Sequence, residues 1–175
     1  MTILPDILSP NLDVVFCGTA VGEMSAQRGH YYAGRGNKFW EYLHTSGMTR
    51  ERLQPEDDVR LASFGLGLTD LVKDISQSHD RGLDFSGTPD LERRLSPYEP
   101  KWVAFTGLKA AGKAATVFGQ TTAPRHGIQN WKVGNSRVFV LTNPSSANGR
   151  GPWDGRDNKL DWWIELATTV HDEVG

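Results

Sequence analysis

Short apolar runs alternate with stretches of helical periodicity along this chain. Leu12 to Cys17 (Leu-Asp-Val-Val-Phe-Cys) ends in an apolar run stopped by Gly18, the pattern of a buried parallel strand. From Asn37 the spacing turns helical, with Phe39, Trp40 and Leu43 on one face and a stop near Ser46-Gly47. Glu51 to Arg60 is charged and reads as a short solvated helix. Leu61 to Leu71 alternates apolar and small residues and predicts a second strand with Thr69 and Asp70 at its carboxyl end, near a sheet edge. His79 to Gly87 has the composition of a loop, and Thr88-Pro89 reads as a helix cap followed by a first-turn proline. The helix it opens carries Leu91 and Leu95. Trp102 to Phe105 is a third strand, leading through Thr106-Gly107 into an alanine-rich helix from about Leu108 to Phe118. Val133 to Leu141 contains a fourth strand at Val138 to Leu141, and a last helix runs from about Asn158 to Val170.

Strands separated by helical segments predict one three-layer α/β/α domain over residues 1–175, built on a central, mostly parallel, four-stranded sheet. In such sheets ligands bind beyond the carboxyl ends of the strands. Three suspicious segments start there: Gly18 to Lys38, Asp70 onward, and the Ser, Gly, Asn and Pro-rich stretch from Asn143. Gly18 to Lys38 reads as a loop far longer than a connector needs, a frequent sign of a binding role.

Composition narrows the chemistry. At 175 residues and 38% apolar content the chain can bury a core without staples, and its one cysteine, Cys17, rules out a disulfide framework and cysteine-ligated clusters. A soluble, cytoplasmic setting is expected, because no apolar run approaches a membrane span and Met1 to Asn11 lacks the order of a signal peptide. Nineteen basic against twenty-one acidic side chains leave room for a local basic patch only. The five histidines lack the close spacing of a metal motif, so neither metal nor cofactor is expected. No Gly-x-Ser-x-Gly elbow occurs. Gly107 to Lys113 matches the glycine and lysine spacing of a phosphate-binding loop, but Ala114 stands where a magnesium-binding hydroxyl is needed, which disfavours nucleotide hydrolysis.

The segments beyond the strands suit a nucleic acid better. His30, Tyr31 and Tyr32 are flat side chains on which a base could stack, worth about 1–3 kcal/mol each, or they could equally cover the end of the sheet. The stretch from Asn143 offers small hydrogen-bonding groups able to approach a phosphate backbone, or an ordinary turn. Taken together these pieces resemble the uracil-DNA glycosylase superfamily, most closely the mismatch-specific uracil and thymine branch and the related hypoxanthine-DNA glycosylases. Phe16-Cys17-Gly18-Thr19-Ala20-Val21-Gly22 with Ser25-Ala26 is similar to a first motif Phe-Cys-Gly-Ile-Asn-Pro-Gly and its Ser-Ala. Tyr31-Tyr32-Ala33 and Asn37-Lys38-Phe39-Trp40 resemble the pieces downstream of it, Gly67 to Val72 the segment after the second strand, and Asn143-Pro144-Ser145-Ser146-Ala147 the second motif.

The resemblance implies a monomeric enzyme of DNA repair that flips a damaged base out of DNA, double- or single-stranded, and hydrolyses its N-glycosidic bond. Gly18, Thr19, Ala20, Val21, His30, Tyr31, Tyr32 and Asn143 would surround the base, with Asn143 also facing the leaving-group oxygen. Ser25, Lys109, Ser145, Ser146, Ala147, Asn148 and Arg150 would contact DNA. In the family's first motif an asparagine or aspartate handles the attacking water, and here that position is Ala20. A methyl group can do neither task, so the role passes to Asp70 or to Asn37, with Glu23 better read as a surface carboxylate. A catalytically idle lesion binder of the same fold is the alternative that Ala20 raises. The absence of an obvious amine nucleophile implies a monofunctional enzyme, with Lys38 and Lys109 as the amines that could attack the sugar instead.

Overall fold

The computed structural model describes residues 1–146 and 149–174. Five strands form one sheet in the order β2-β1-β3-β5-β4: β1 Val14–Val21, β2 Leu66–Ser76, β3 Trp102–Phe105, β4 Gly127–Val133 and β5 Ser136–Val140. The first four in that order run parallel, and β4 is antiparallel to β5. The expected class stands, with one strand more than expected. The addition is a hairpin arm whose exposure alternates (Gly127, Trp131 and Val133 buried), joined to β5 through Gly134-Asn135. Its Gln-Asn-Trp-Lys stretch has too few apolar residues to resemble a buried strand, as suits a strand on the sheet edge.

Each face of the sheet is covered. Val14, Phe16, Leu68, Trp102, Ala104 and Phe139 face α2 (Phe39–Thr45) and α5 (Leu160–Val174), where Trp163 stacks on Phe16 with ring centroids 5.8 Å apart. Their sequence neighbours Val15, Cys17, Val103, Phe105, Val138 and Val140 face α3 (Asp90–Leu95) and α4 (Leu108–Val117). Odd and even strand positions thus feed separate cores, the consequence of a period of two on a sheet buried on both sides.

Two boundaries differ from expectation. Leu61 to Phe64 belong to a 3₁₀ helix, Pro55–Phe64, that starts at a Gln54/Asp57 capping box, and Leu61 is apolar because it is fully buried beneath that helix. The strand begins only after Gly65 and continues to Ser76, so Asp70 lies in mid-strand, on the edge strand of the sheet. The long loop after Gly18 also shrinks. β1 continues to Val21, pairing Gly18 with Asp70 and Ala20 with Val72, and α1 (Glu23–Arg28) follows. With six residues and one buried member, Ser25, α1 is too short to show a periodicity.

Candidate active site

A cavity of about 460 Å³ opens beyond the carboxyl ends of the four parallel strands, in the range of small-ligand sites. The end of β1 (Gly18 to Val21), Asp70 with the segment 77–80 after β2, Thr106-Gly107 after β3, and Asn143 to Ser146 after β5 all line it, and Asn37 closes the remaining side. The three segments suspected from sequence therefore converge.

The floor is acidic and buried. Asp70 is 3% exposed and its Oδ2 has no hydrogen-bond partner among the described residues. Its approach to β1 depends on Gly18, where a Cβ would stand 2.8 Å from Asp70 Oδ1 and 3.3 Å from Thr106 Oγ1. Desolvation pushes the Asp70 carboxyl up to about 7, offset in part by Lys73, Arg94 and a backbone contact with Gly18, and reinforced by Asp6. The Tyr32 hydroxyl lies 3.1 Å from Thr106 Oγ1 on the same floor, and burial raises its pKa. Nearer the mouth, Thr19 donates its hydroxyl to Asp80 Oδ1 at 2.7 Å.

Another part of the lining is built of amides. Asn37 Oδ1 accepts the N–H of Phe39 at 2.9 Å, and Asn143 Oδ1 accepts that of Ser145 at 2.8 Å. Each asparagine uses one lone pair of its oxygen on its own turn and keeps its NH₂ group available as a donor. The two turns are tied together: Lys38 N–H donates to Pro144 O at 2.8 Å, and Lys159 Nζ donates to Asn143 O at 2.9 Å and Ser145 O at 3.0 Å. Burial lowers the pKa of Lys159.

Several expected roles are corrected. His30 does not line the cavity, because its Nδ1 turns to the buried carboxylate of Asp58 at 3.2 Å, which also accepts Tyr31 N–H. Tyr31 lines the cavity but is 3% exposed, with its hydroxyl donating to Pro5 O and accepting from Lys73, so its ring is largely core. Tyr32 gives one ring face to Phe39, 4.0 Å away and nearly parallel. Ser25 lines the cavity but is buried, and its Oγ accepts Ala33 N–H and so holds the turn at Ala33. Thr88 supplies no side-chain cap to α3, its Oγ1 being buried and unpartnered. Gly18, Thr19, Ala20, Val21, Ser25, Tyr31, Tyr32, Asn37, Asp70, Lys109, Asn143, Ser145 and Ser146 do line the cavity, Arg150 is exposed, and Ala147 and Asn148 lie outside the described residues. Gly112 and Lys113 sit inside α4, which leaves no phosphate-cradling loop there.

Sequence reasoning missed Thr106, Asp80, Arg35 and Lys159. Thr106 was within reach of the strand-end rule, since it follows β3 directly. Among the described residues no cluster of three potential metal ligands occurs, and no helix is long and apolar enough to cross a membrane.

Fold and site together define an α/β protein with a small polar cavity at the carboxyl edge of a parallel sheet. The chain belongs to the uracil DNA glycosylase superfamily, whose family model matches residues 5–167. That membership places it among the DNA glycosylases, hydrolases of DNA repair, with DNA as the partner. Its fold is similar to the solution NMR structure of a protein from Methanosarcina acetivorans whose own assignment as a uracil DNA glycosylase is provisional. The TM-score is 0.61 at 20% identity, over 96% of both chains.

Proposed function

We propose that this protein is a monofunctional glycosylase that removes uracil or a related deaminated base from DNA, with Asp70 activating the water in place of the missing first-motif side chain. The observation that carries this reading is the polarity of the cavity: a buried carboxyl whose Oδ2 has no partner among the described residues, and two asparagines whose oxygens each take a backbone N–H while their NH₂ groups stay available as donors. Deamination replaces an exocyclic amine by a carbonyl. The asparagine NH₂ donors suit the new carbonyl and leave the exocyclic amine of cytosine or adenine facing another donor, a mismatch that buried polar groups penalise.

In the reaction the water oxygen attacks C1′ of the deoxyribose while Asp70 accepts a water proton. The C1′–N bond breaks with its electron pair passing to the base, whose developing anion is met by the Asn143 NH₂ and then protonated from solvent. A carboxyl poised near 7 suits that proton transfer at neutral pH. Asn37 helps hold the base or the water. The test is excision from single and double strands carrying uracil, hypoxanthine or xanthine, alongside thymine mispairs and unmodified DNA, followed by alkaline cleavage. Product from one or more deaminated bases and none from cytosine or adenine is expected. Tight lesion binding with no product from any substrate would mark the idle binder, and a borohydride-trapped adduct would replace the water with Lys38 or Lys109.

A further inference from the structure

The segment before β1 straps the edge strand. Ile7 and Leu68 exchange two backbone hydrogen bonds of 2.9 Å, Ile3 N–H donates to Lys73 O at 2.8 Å, and the Tyr31 hydroxyl donates to Pro5 O. The strap needs glycine at position 67, where a Cβ would come within 2.5 Å of Ile7 O. Its effect is to push Asp6 under the floor of the cavity. One Asp6 oxygen takes Lys73 Nζ at 2.7 Å and the Thr69 hydroxyl at 2.8 Å, and the other takes Arg94 at 3.0 Å. Arg94 also donates to Thr69 Oγ1 and to the backbone oxygen of Asp70 at 2.8 Å. All three charged side chains are less than one-fifth exposed.

Arg94 thus touches the Asp70 main chain, and both cations act on its carboxyl through space, yet both are paired with another carboxylate while Asp70 Oδ2 has no partner among the described residues. We propose that Asp6 is a positioning residue: by holding Lys73 and Arg94 it denies Asp70 a counter-ion and keeps its carboxyl free to exchange a proton with the attacking water. Without Asp6 the uncompensated charge of both cations would favour the ionised form of Asp70, and a carboxylate so stabilised is a poor base. The remaining titratable groups around Asp70 are the Tyr31 and Tyr32 hydroxyls and the Cys17 thiol, all with pKa values raised by burial and so neutral at the working pH. The charge balance beneath Asp70 therefore rests on Asp6, Lys73 and Arg94, with Asp90 touching Arg94 from the solvent side at 3.6 Å.

This inference rests on Asp70 as the base, and the test separates the two. The acid limb of the single-turnover pH profile is measured for wild type, Asp6→Asn and Lys73→Met, and the Asp70 carboxyl carbon is titrated by NMR in the same proteins without DNA. Asp6→Asn is expected to move both midpoints down by about one pH unit or more, and Lys73→Met to move them up, opposite shifts that loss of packing does not produce. Should Asp6→Asn fold poorly, Asp6→Ser is titrated in its place, with the upward shift in Lys73→Met setting the scale of one neighbouring charge. Unmoved midpoints in both variants, with Asp70→Asn inactive, would overturn the role of Asp6 alone. An active Asp70→Asn would overturn the base assignment, and the NMR titration would then still report whether Asp6 governs the carboxyl.

Discussion

The two sides of the cavity are held by opposite means. The amide wall is fixed by backbone: both asparagine oxygens bind main-chain N–H groups, and main-chain carbonyls of the 143–145 turn are clamped by Lys38 N–H and Lys159. The acid floor is fixed by side chains and by close packing, with Asp70 wedged against Gly18 and surrounded by charges that bind one another. A backbone-held wall presents the same donors whatever the pH. A side-chain-held carboxyl with a perturbed pKa is sensitive to every neighbouring charge. Recognition and proton transfer therefore fall to the two regions that each suits.

The largest expected effect comes from removing the proton acceptor. Asp70→Asn should lower the single-turnover excision rate by about 10²–10⁴-fold while leaving DNA affinity in place. A rate within a few-fold of wild type would shift the water to Asn37 and make the acid floor a structural feature only. On the other wall, Asn143→Asp keeps an oxygen for Ser145 N–H and replaces the donor with an acceptor. Excision should fall by about 10²–10³-fold, as when a single oxyanion donor is lost. Asn37→Asp makes the same exchange at the second asparagine and should cost less if that residue positions and does not face the leaving group. Equal losses would merge the two roles.

The perturbed carboxyl also carries a stability signature. Asp70 holds its proton up to about pH 7 when folded and to about 3.9 when unfolded, so between those values the native state binds more protons and stability falls as pH rises. The cost is complete above pH 7. Asp70→Asn should therefore raise the melting temperature at pH 8 by roughly 5 °C, on the scale of a ~2 kcal/mol gain in a chain this size, and leave it almost unchanged at pH 4. A variant destabilised equally at both pH values would mean that Asp70 is ionised and well solvated in the native protein.

The two regions also differ in how far the sequence reveals them. Asn143-Pro144-Ser145 announces itself as a turn after a strong apolar run, and local rules place it at the sheet's carboxyl edge, whereas Asn37 is legible only as the start of a helix. Asp70 was visible as a carboxylate on an apolar strand, but its burial was not, because β2 runs six residues past it through polar Lys73, Asp74 and Ser76. Asp6 gave no signal at all. Its position depends on a strap across 63 residues of chain to Thr69 and 88 to Arg94, contacts with no local pattern. His30 and Tyr31 misled for a related reason: an aromatic pair in a polar stretch looks exposed until Asp58 and Pro5, far off in sequence, supply its partners. Short-range geometry is legible in a single chain, whereas long-range electrostatics requires the fold.

The smallest expected effect tests whether the amide wall is truly held by backbone. Lys159 donates to two carbonyls of the Asn143 turn while its own charge is partly desolvated, so its contribution is positional. Lys159→Met keeps the aliphatic stem beside Trp153, whose ring lies 5.8 Å from the ammonium, and removes only the donors. Excision should fall by about tenfold, the scale of one or two lost hydrogen bonds at the turn, with the pH midpoint of the rate unchanged because Lys159 is no neighbour of Asp70. A shifted midpoint would couple the two sides of the cavity, and an unchanged rate would mean that the Lys38 N–H bond to Pro144 holds the turn alone. Either result relocates the boundary between the region that recognises the base and the one that moves the proton.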